Sequence, residues 1–213
     1  MLSNVENRYK MRYGPDARDM EGKTIILFGG SAGAARLTAE MLAAEGARLY
    51  IAAASDTDLV SALDAARQVG GEAAGQVVDM NNRTSIGRFF DTAEKQFGRI
   101  HALVNYFALE HGTAADFAAV EECQNACLQE AILHMQGEKY CQVVNVGQAR
   151  AGQTGRSFAA ALRRQAKELG IRVTLIEPGE VSSDGYQAEA IASCVLDSLM
   201  QPYGVDMIFL QQA

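Results

Sequence analysis

The chain has 213 residues, of which 48% are hydrophobic and 21% are charged, and its formal net charge is −7. This composition excludes a disordered chain, and the length suits one domain with a sizeable core of its own. The acidic balance argues against nucleic acid or an anionic membrane surface as a partner, because both require a basic protein surface.

Short apolar runs alternate with longer segments of helical spacing through most of the chain. Either Ser55 or Asp56 is suited to cap the second of the helical segments. In chain order, the predicted elements are a strand at 23–28, a helix at 33–45, a strand at 48–53, a helix at 56–69, a strand at 74–78, a helix at 84–97, a strand at 102–106, a helix at 114–135, a strand at 140–146, a helix at 157–169, a strand at 172–176, a helix at 187–200 and a strand at 205–210.

Strands that alternate with helices predict βαβ units on a parallel sheet. Because such crossovers are right-handed, helices are expected on both faces of the sheet. We therefore predict a single, doubly wound α/β domain of Rossmann type over residues 22–213, with a parallel sheet of roughly seven strands. Residues 1–21 read as a polar N-terminal extension, which Gly14-Pro15 interrupts.

The expected location of the chain is cytoplasmic. No apolar run approaches the roughly 20 residues of a membrane-spanning helix, and the polar N-terminus is unlike a secretory signal. In a reducing compartment the four cysteines are expected to be buried free thiols. The histidines have no metal-ligand spacing, so no metal site is predicted. These cysteines and histidines are Cys123, Cys127, Cys141, Cys194, His101, His111 and His134.

A glycine-rich loop, Gly29-Gly30-Ser31-Ala32-Gly33, joins the first predicted strand to the first helix. Such a turn lets the backbone approach a phosphate at a helix N-terminus. The segment EGKTIILFGGSAGAARLTAEMLAAEGARL resembles the opening of the short-chain dehydrogenase/reductase family. The resemblance continues through Asp79 in VVDM, through LVNYFA at the family's Asn-Asn-Ala-Gly motif and through AKELGIRVTLIEPG, so it covers almost all of residues 21–210.

The resemblance implies a catalytic tyrosine, a lysine four residues later, a serine that holds the substrate oxygen and an asparagine that supports a proton relay. The lysine is needed because a tyrosine with a pKa near 10 is a poor base at neutral pH. This chain has seven tyrosines, and none is followed four residues later by lysine. The sequence therefore predicts that the catalytic pair of the family is absent.

Matching the family's motifs onto this chain leaves each catalytic position without its residue. Gln148 stands at the serine position, and the position of the asparagine falls at or near Val120. Two counts are possible for the tyrosine and lysine positions, because residues are missing from this stretch. Counting forward gives Ala161 and Gln165, and counting back gives Ala151 and Gly155. No catalytic residue is therefore predicted.

The nucleotide site implied by the resemblance is also altered. Phe28 replaces a threonine, Ala35 replaces the third glycine, and 52–54 is Ala-Ala-Ala, without the acid or arginine that recognises the ribose. The bulky Tyr106-Phe107 pair is expected to stand where a cofactor would pass. The vestigial cofactor residues are Gly29, Gly33, Asp79 and Asn105, and no cofactor is expected to bind this chain.

These losses suggest an inactive subunit that pairs with an active paralogue of the family, which would carry NAD. The resemblance implies contacts through residues 114–135, 157–169 and 205–213. The chain resembles the inactive subunit of mixed hetero-oligomers of the family, such as heterotetramers, that oxidise β-hydroxyacyl-CoA thioesters in anaerobic toluene (benzylsuccinate) degradation. The alternatives are an NAD(P)-sensing regulator and a divergent reductase that uses Tyr106 or Tyr186 as its acid.

The family's usual substrate loop is also missing, since 180–186 leads almost directly into a helix.

Overall fold

The computed structural model describes residues 19–29, 33–107, 114–136, 141–147, 164, 166, 168–178, 185–201 and 207–210. Seven strands and five helices have assigned bounds in this part of the chain. The strands are β1 (Thr24–Phe28), β2 (Arg48–Ala53), β3 (Ala73–Val77), β4 (Ala102–Phe107), β5 (Gln142–Gly147), β6 (Arg172–Pro178) and β7 (Met207–Leu210). The helices are α1 (Gly33–Ala44), α2 (Asp56–Gln68), α3 (Arg83–Phe97), α4 (Ala114–Met135) and α5 (Gly185–Met200).

The seven strands form one sheet in the order β3-β2-β1-β4-β5-β6-β7. Every neighbouring pair is parallel. This confirms the predicted α/β fold with a parallel, doubly wound sheet. The order of the strands reverses between β1 and β4, and ligands of such sheets bind in the crevice beyond the carboxyl ends of the strands at this point.

Several element boundaries differ from the predicted ones. β4 continues through Phe107 and β6 through Pro178, while β7 begins at Met207. Of the helix predicted at 157–169, residues 164, 166 and 168 are described as helical. Ser55 is the N-cap of α2, since its Oγ accepts a hydrogen bond from the Asp58 amide at 3.2 Å, and Asp56 is the first helical residue.

Each face of the sheet carries its own hydrophobic core, because side chains alternate between the faces along a strand. The face covered by α3 and α4 is aromatic: Phe89 contacts Phe28 edge-to-face at 5.7 Å between ring centroids and Tyr50 at 5.0 Å. The face covered by α1, α2 and α5 is aliphatic and includes Leu27 and Leu42. Within the described residues, no helix combines the length and the apolar character that crossing a membrane requires.

The four cysteines are free thiols, as predicted. Cys123, Cys127 and Cys141 are buried, and Cys194 is half-buried. Cys123 and Cys127 lie one turn apart on α4, and a hydrogen bond between them lowers the pKa of Cys123. Burial, followed by the interaction with Cys123, raises the pKa of Cys127. Both side chains belong to the aromatic core, so they contribute to the stability of the fold through packing.

A buried polar network joins β1, β2, β4 and α3 at the amino edge of the sheet. The Thr24 amide donates to Nδ1 of His101 at 3.0 Å, and the Thr24 hydroxyl donates to the carbonyl of Phe97 at 3.3 Å. Nη2 of Arg48 donates to the same hydroxyl at 3.1 Å. Because Nδ1 of His101 is an acceptor, the imidazole is neutral. Burial, and then the positive charges of Lys23, Arg99 and Arg48, lower the pKa of His101 to about 4.

This network makes the stability of the fold depend on pH in a defined window. Histidine in the unfolded chain titrates near pH 6.5. Between pH 6.5 and 4 the unfolded chain therefore binds a proton that folded His101 does not, so the free energy of unfolding should fall as the pH falls through this window. The substitution His101→Asn, which keeps an acceptor near the Thr24 amide, should make this decline shallower. Urea unfolding at pH 4.5, 5.5 and 7 measures it.

The matched control is His134→Gln, at a mostly buried histidine between α3 and α4 that takes no part in the Thr24 network. This variant should keep the decline between pH 6.5 and 4. Equal slopes for His101→Asn and the unmodified chain would show that His101 does not carry the effect.

Candidate functional site

The candidate site lies at the carboxyl ends of β1 and β4, where the order of the strands reverses. Gly29 and Gly33 have positive φ angles of 80° and 55°, a region that favours glycine. A Cβ on Gly29 would lie 2.3 Å from the carbonyl oxygen of Tyr106, whereas a Cβ on Gly33 would meet no atom of the described residues within 4 Å. The turn thus packs tightly against β4 at Gly29. Residues 30–32 lie outside the described part.

The rings of Tyr106 and Phe107 do not stand over the carboxyl edge as the sequence suggested. Because β4 continues through Phe107, the two side chains point to opposite faces of the sheet. Tyr106 packs against the aliphatic core beneath α1, and Phe107 is buried in the aromatic core. Strand geometry therefore places both rings in the cores of the domain and not where a cofactor would pass, as the sequence analysis had expected.

The hydroxyl of Tyr106 is fastened to the first turns of α1. It shares a hydrogen bond with the Thr38 hydroxyl and also lies 3.5 Å from the carbonyl oxygen of Ala34. Thr38 Oγ1 in turn donates to that carbonyl at 2.8 Å. Burial raises the pKa of Tyr106 well above its ordinary value, and the bond to Thr38 offsets only part of this effect. A phenol in this setting does not act as a base near neutral pH.

The end of β2 and the segment after β3 supply little for a nucleoside. Ala52 and Ala53 are buried, and the Ser55 hydroxyl is bonded to Asp58. Oδ1 of Asp79 accepts from the Asn81 amide at 3.0 Å, and the Asp79 amide donates to Ser85 Oγ at 3.1 Å. Asp79 therefore builds the turn that precedes α3. In the described part, no carboxylate or arginine follows β2 directly.

Asn105 takes part in a cross-strand pair on the aromatic face. It is fully buried, and its Nδ2 donates at 3.0 Å to Oδ1 of Asn145, its register partner in β5. Oδ1 of Asn105 is buried and has no hydrogen-bond partner among the described residues. The amide thus links β4 to β5, which is a structural role for one of the four vestigial cofactor residues.

The positions that correspond to the family's serine, tyrosine and lysine lie outside the described residues. These positions are Gln148, Ala151, Gly155, Ala161 and Gln165. Val120, at the position of the supporting asparagine, is half-buried and packs against the aromatic core. Tyr186 lies in the first turn of α5, and its side chain is not described.

Sequence reasoning missed three residues near this edge. Thr38 holds the Tyr106 hydroxyl, and Asn145 pairs with Asn105. Glu177, near the end of β6, has a buried Oε1 without a hydrogen-bond partner in the described part. One sequence signal could have indicated the asparagine pair: Asn105 and Asn145 each lie near the end of a predicted strand. The sequence does not state which strands are neighbours.

His134 has an acidic environment between α3 and α4. Its Nδ1 lies 2.9 Å from Glu94, its Nε2 lies 3.7 Å from Asp91 and 4.0 Å from Glu130, and its ring stacks on Phe90. Despite this grouping, the described residues contain no set of three histidine, cysteine or acidic side chains that could hold a metal ion.

A parallel α/β sheet with a glycine turn at its reversal point has the architecture of a dinucleotide-binding domain. Residues 23–155, more than half of the chain, match the family model for short chain dehydrogenase. The chain therefore belongs to the short-chain dehydrogenase/reductase family, as the motifs in its sequence predicted.

Similar curated proteins include several reductases. HetN, a ketoacyl reductase from a Nostoc species, is 25% identical over 198 residues, which cover 82% of this chain and 69% of HetN. The 3-oxoacyl-[acyl-carrier-protein] reductase of Bos taurus is 26% identical over 76% of this chain and 77% of its own length. A ketoacyl reductase assigned to the monensin polyketide synthase of Streptomyces virginiae is 34% identical, but the match covers 39% of this chain and only 32% of that protein.

Solved structures with the same fold are distant in sequence. A short-chain dehydrogenase/reductase from Serratia marcescens superposes with a TM-score of 0.76 at 19% identity, covering 91% of this chain and 98% of that one. Levodione reductase superposes with a TM-score of 0.76 at 20% identity, covering 90% and 96%.

The family normally binds NAD(P), and the residues of this chain fit such a cofactor only in part. The positive φ angles of Gly29 and Gly33, in a turn that leads into the start of α1, suit a phosphate group. The side chains at the end of β2 offer no carboxylate or arginine to a ribose, and Asp79 is engaged in its own turn. Within the described residues, the site thus keeps a turn suited to a phosphate but has no side chain placed to recognise the ribose.

The contributions of Tyr106 and Thr38 to the free energy of unfolding should be coupled, because their hydroxyls share a hydrogen bond. Thr38→Val removes the hydroxyl that Tyr106 contacts and should lower the free energy of unfolding by about 1–3 kcal/mol, because a buried phenol loses its main partner. Tyr106→Phe should cost about 1 kcal/mol. The double variant should cost less than the sum, with a coupling of at least about 0.5 kcal/mol in urea unfolding. Strictly additive effects would contradict the contact.

Proposed function

We propose that this chain is a non-catalytic subunit that pairs with an active short-chain dehydrogenase paralogue. The observation that carries the proposal is the state of Tyr106, the tyrosine at the carboxyl edge whose side chain is described. Its hydroxyl is bonded beneath α1 and its pKa is raised by burial. Tyr50, the other tyrosine with a described side chain, lies in the aromatic core, and burial raises its pKa as well.

Both environments oppose the proton transfer that hydride chemistry needs. An ordinary tyrosine, with a pKa near 10, is ionised to roughly one part in a thousand at pH 7. A neighbouring cation must lower that pKa before the phenol becomes a useful base, and here burial acts in the opposite direction. The sequence also has no tyrosine with a lysine one helical turn later. These facts support a subunit that leaves the chemistry to its partner.

Helix α4 supplies the proposed partner surface. It contains no lysine or arginine, and its outward strip includes the exposed residues Glu122, Gln129 and Leu133. Leu133 is 58% exposed, and we propose that the partner covers this apolar side chain. Residues 157–169 and 205–213 complete the surface in our proposal. Among the described strands, β7 pairs only with β6, so its outer edge is available to a second chain.

For the complex we propose the interconversion of a β-hydroxyacyl and a β-ketoacyl thioester, with NAD in the active subunit. The curated relatives named ketoacyl or 3-oxoacyl reductases support this reaction class. Within it, we propose a CoA thioester of aromatic degradation, as in a (hydroxybenzyl)succinyl-CoA dehydrogenase of anaerobic toluene degradation. This substrate rests on the resemblance to mixed pairs of an active and an inactive family member.

The second candidate function is an NAD(P)-sensing regulator. The retained positive φ angles of Gly29 and Gly33 favour it, because they keep the turn that approaches a phosphate. The sensor binds the dinucleotide without turnover, whereas the silent subunit has little affinity for it. The divergent reductase is less favoured, because Tyr106, one of its two proposed acids, is bonded beneath α1.

An affinity measurement separates these functions. The purified full chain should show no micromolar binding of NADH by fluorescence titration, and it should not oxidise 3-hydroxyacyl-CoA with NAD. Co-expression with an active short-chain dehydrogenase paralogue from the same genome should yield a defined complex that does. Micromolar NADH binding without turnover would favour the sensor, and turnover by the chain alone would favour the reductase.

A matched pair of surface variants tests the role of α4. Leu133→Glu should weaken the complex with the paralogue at least tenfold, or about 1.4 kcal/mol, because it places a charge in an apolar contact. Val60→Glu makes the same change on α2, where Val60 is 55% exposed, and should leave the affinity unchanged. Size-exclusion chromatography and calorimetry measure the affinities, and thermal melts confirm that both variants fold. Equal affinities for the two variants would reject α4 as the interface.

A further inference from the structure

We propose that the negative charge of α4 determines which chain binds it: the partner is a paralogue whose contact helix is rich in lysine and arginine, and a second copy of this chain is repelled. This inference rests on the proposed pairing through α4 and adds the chemistry of the partner to it. The observation behind it is an exposed apolar side chain surrounded by carboxylates.

Helix α4 is acidic in composition. Its 22 residues include no lysine or arginine and four acidic residues, which are Asp116, Glu121, Glu122 and Glu130. Helix α3, which packs beside α4, adds two acidic and three basic residues. The two helices together therefore have six acidic residues and three basic ones, and the excess of acid comes from α4.

The outward strip of α4 has both apolar and acidic members. Glu122, Gln129 and Leu133 follow one another at intervals of seven and four residues, so they share one face of the helix, and all three are exposed. Glu122 lies about 16 Å from Leu133 along the helix axis. Protein interfaces commonly have an apolar centre and a polar rim. In such an interface Leu133 belongs to the centre and Glu122 to the rim.

A second group of acids surrounds His134, the residue that follows Leu133. Oxygens of Glu94, Asp91 and Glu130 lie 2.9, 3.7 and 4.0 Å from the ring nitrogens of His134. The side chains of Glu94 and Asp91 remain more than half exposed. A single histidine, even when it is protonated, offsets one of these three negative charges. The rim beside Leu133 is therefore acidic on the side of α3 as well.

The basic residues of α3 do not balance these acids. Arg83 is the cation that the described contacts bring to α4, through a hydrogen bond to a glutamine side chain. Arg88 and Lys95 are exposed and lie about one helical turn before and after Asp91, so they offset mainly that carboxylate. The carboxylates of Glu94 and of α4 itself are left in excess, since Arg83 alone does not neutralise them.

A second copy of this chain is a poor partner for such a surface. A two-fold contact uses the same surface on both chains, so it would double the carboxylates of α4 and add no lysine or arginine from that helix. Like charges that face each other across an interface oppose association, whereas opposite charges speed the encounter. A partner helix with lysine or arginine at its rim therefore favours the mixed pair over a pair of identical chains.

The test is the salt dependence of the association rate between the full chain and an active short-chain dehydrogenase paralogue from the same genome. Biolayer interferometry measures the two rate constants. Between 50 and 500 mM NaCl the association rate constant should fall at least about fivefold, because salt screens the attraction between rim charges. The dissociation rate constant should change less than about twofold.

A matched pair of charge variants localises the effect. Glu122→Lys should lower the association rate constant about fivefold at 50 mM NaCl, and this difference should vanish at 500 mM. Asp64→Lys makes the same change at an exposed position of α2 and should leave the rate unchanged. Glu122→Gln, which removes the charge and keeps the shape, should give an intermediate rate. Leu133→Glu should instead raise the dissociation rate, because it alters the apolar centre.

The possible outcomes separate charge selection from the pairing itself. Suppose that Leu133→Glu weakens the complex, but that association is equally fast at both salt concentrations, or for Glu122→Lys and Asp64→Lys. Charge selection would then be overturned, and the pairing would stand. A homodimer of this chain at 50 mM NaCl, seen by sedimentation velocity and dissociated by Leu133→Glu, would also overturn it. Absence of any complex with the paralogue would reject the pairing and this inference together.

Discussion

At the carboxyl edge, Gly29 lies so close to the carbonyl oxygen of Tyr106 that only a residue without a Cβ fits, and this contact constrains the ends of β1 and β4. A side chain on residue 29 would push β1 and β4 apart, so glycine keeps the two strands in register through Phe28 and Asn105. With the register held, strand alternation places Tyr106 under α1 and Phe107 in the aromatic core. The hydroxyl of Tyr106 then bonds to Thr38. The burial of the Tyr106 phenol, and with it the raised pKa, thus follows from the pairing of β1 with β4.

Much of the fold could be predicted from the sequence, because it depends on periodicity. Apolar runs ending at glycines marked the strands, and their alternation with helices indicated a parallel sheet. The end of β4 was missed by one residue, Phe107, because the resemblance assigned the Tyr106-Phe107 pair to the family's cofactor motif. Contacts such as Asn105 with Asn145 were out of reach, because they depend on which strands are neighbours. The polar network of Thr24, Arg48 and His101 was out of reach for the same reason, since strand register brings these residues together.

Membership of the family and possession of its chemistry have different physical requirements. The sheet needs only apolar residues of suitable size at alternate positions, and Phe28 meets that need by packing on Phe89. Catalysis needs particular groups at particular distances, and substitution of one of them removes it without harm to the core. Asp79 and Asn105 illustrate the separation. Each is retained at a position associated with the cofactor, and each has a role in a turn or between strands.

The segment that links β6 to α5 is short, and this bears on the exclusion of water from the carboxyl edge. Residues 179–184 are all that join Pro178 to Gly185. Six residues extend to about 20 Å at most, so a segment that must leave the sheet and return reaches out about half as far. Hydride transfer proceeds best in a pocket from which water is excluded, and a link of this length supplies few residues to such a pocket.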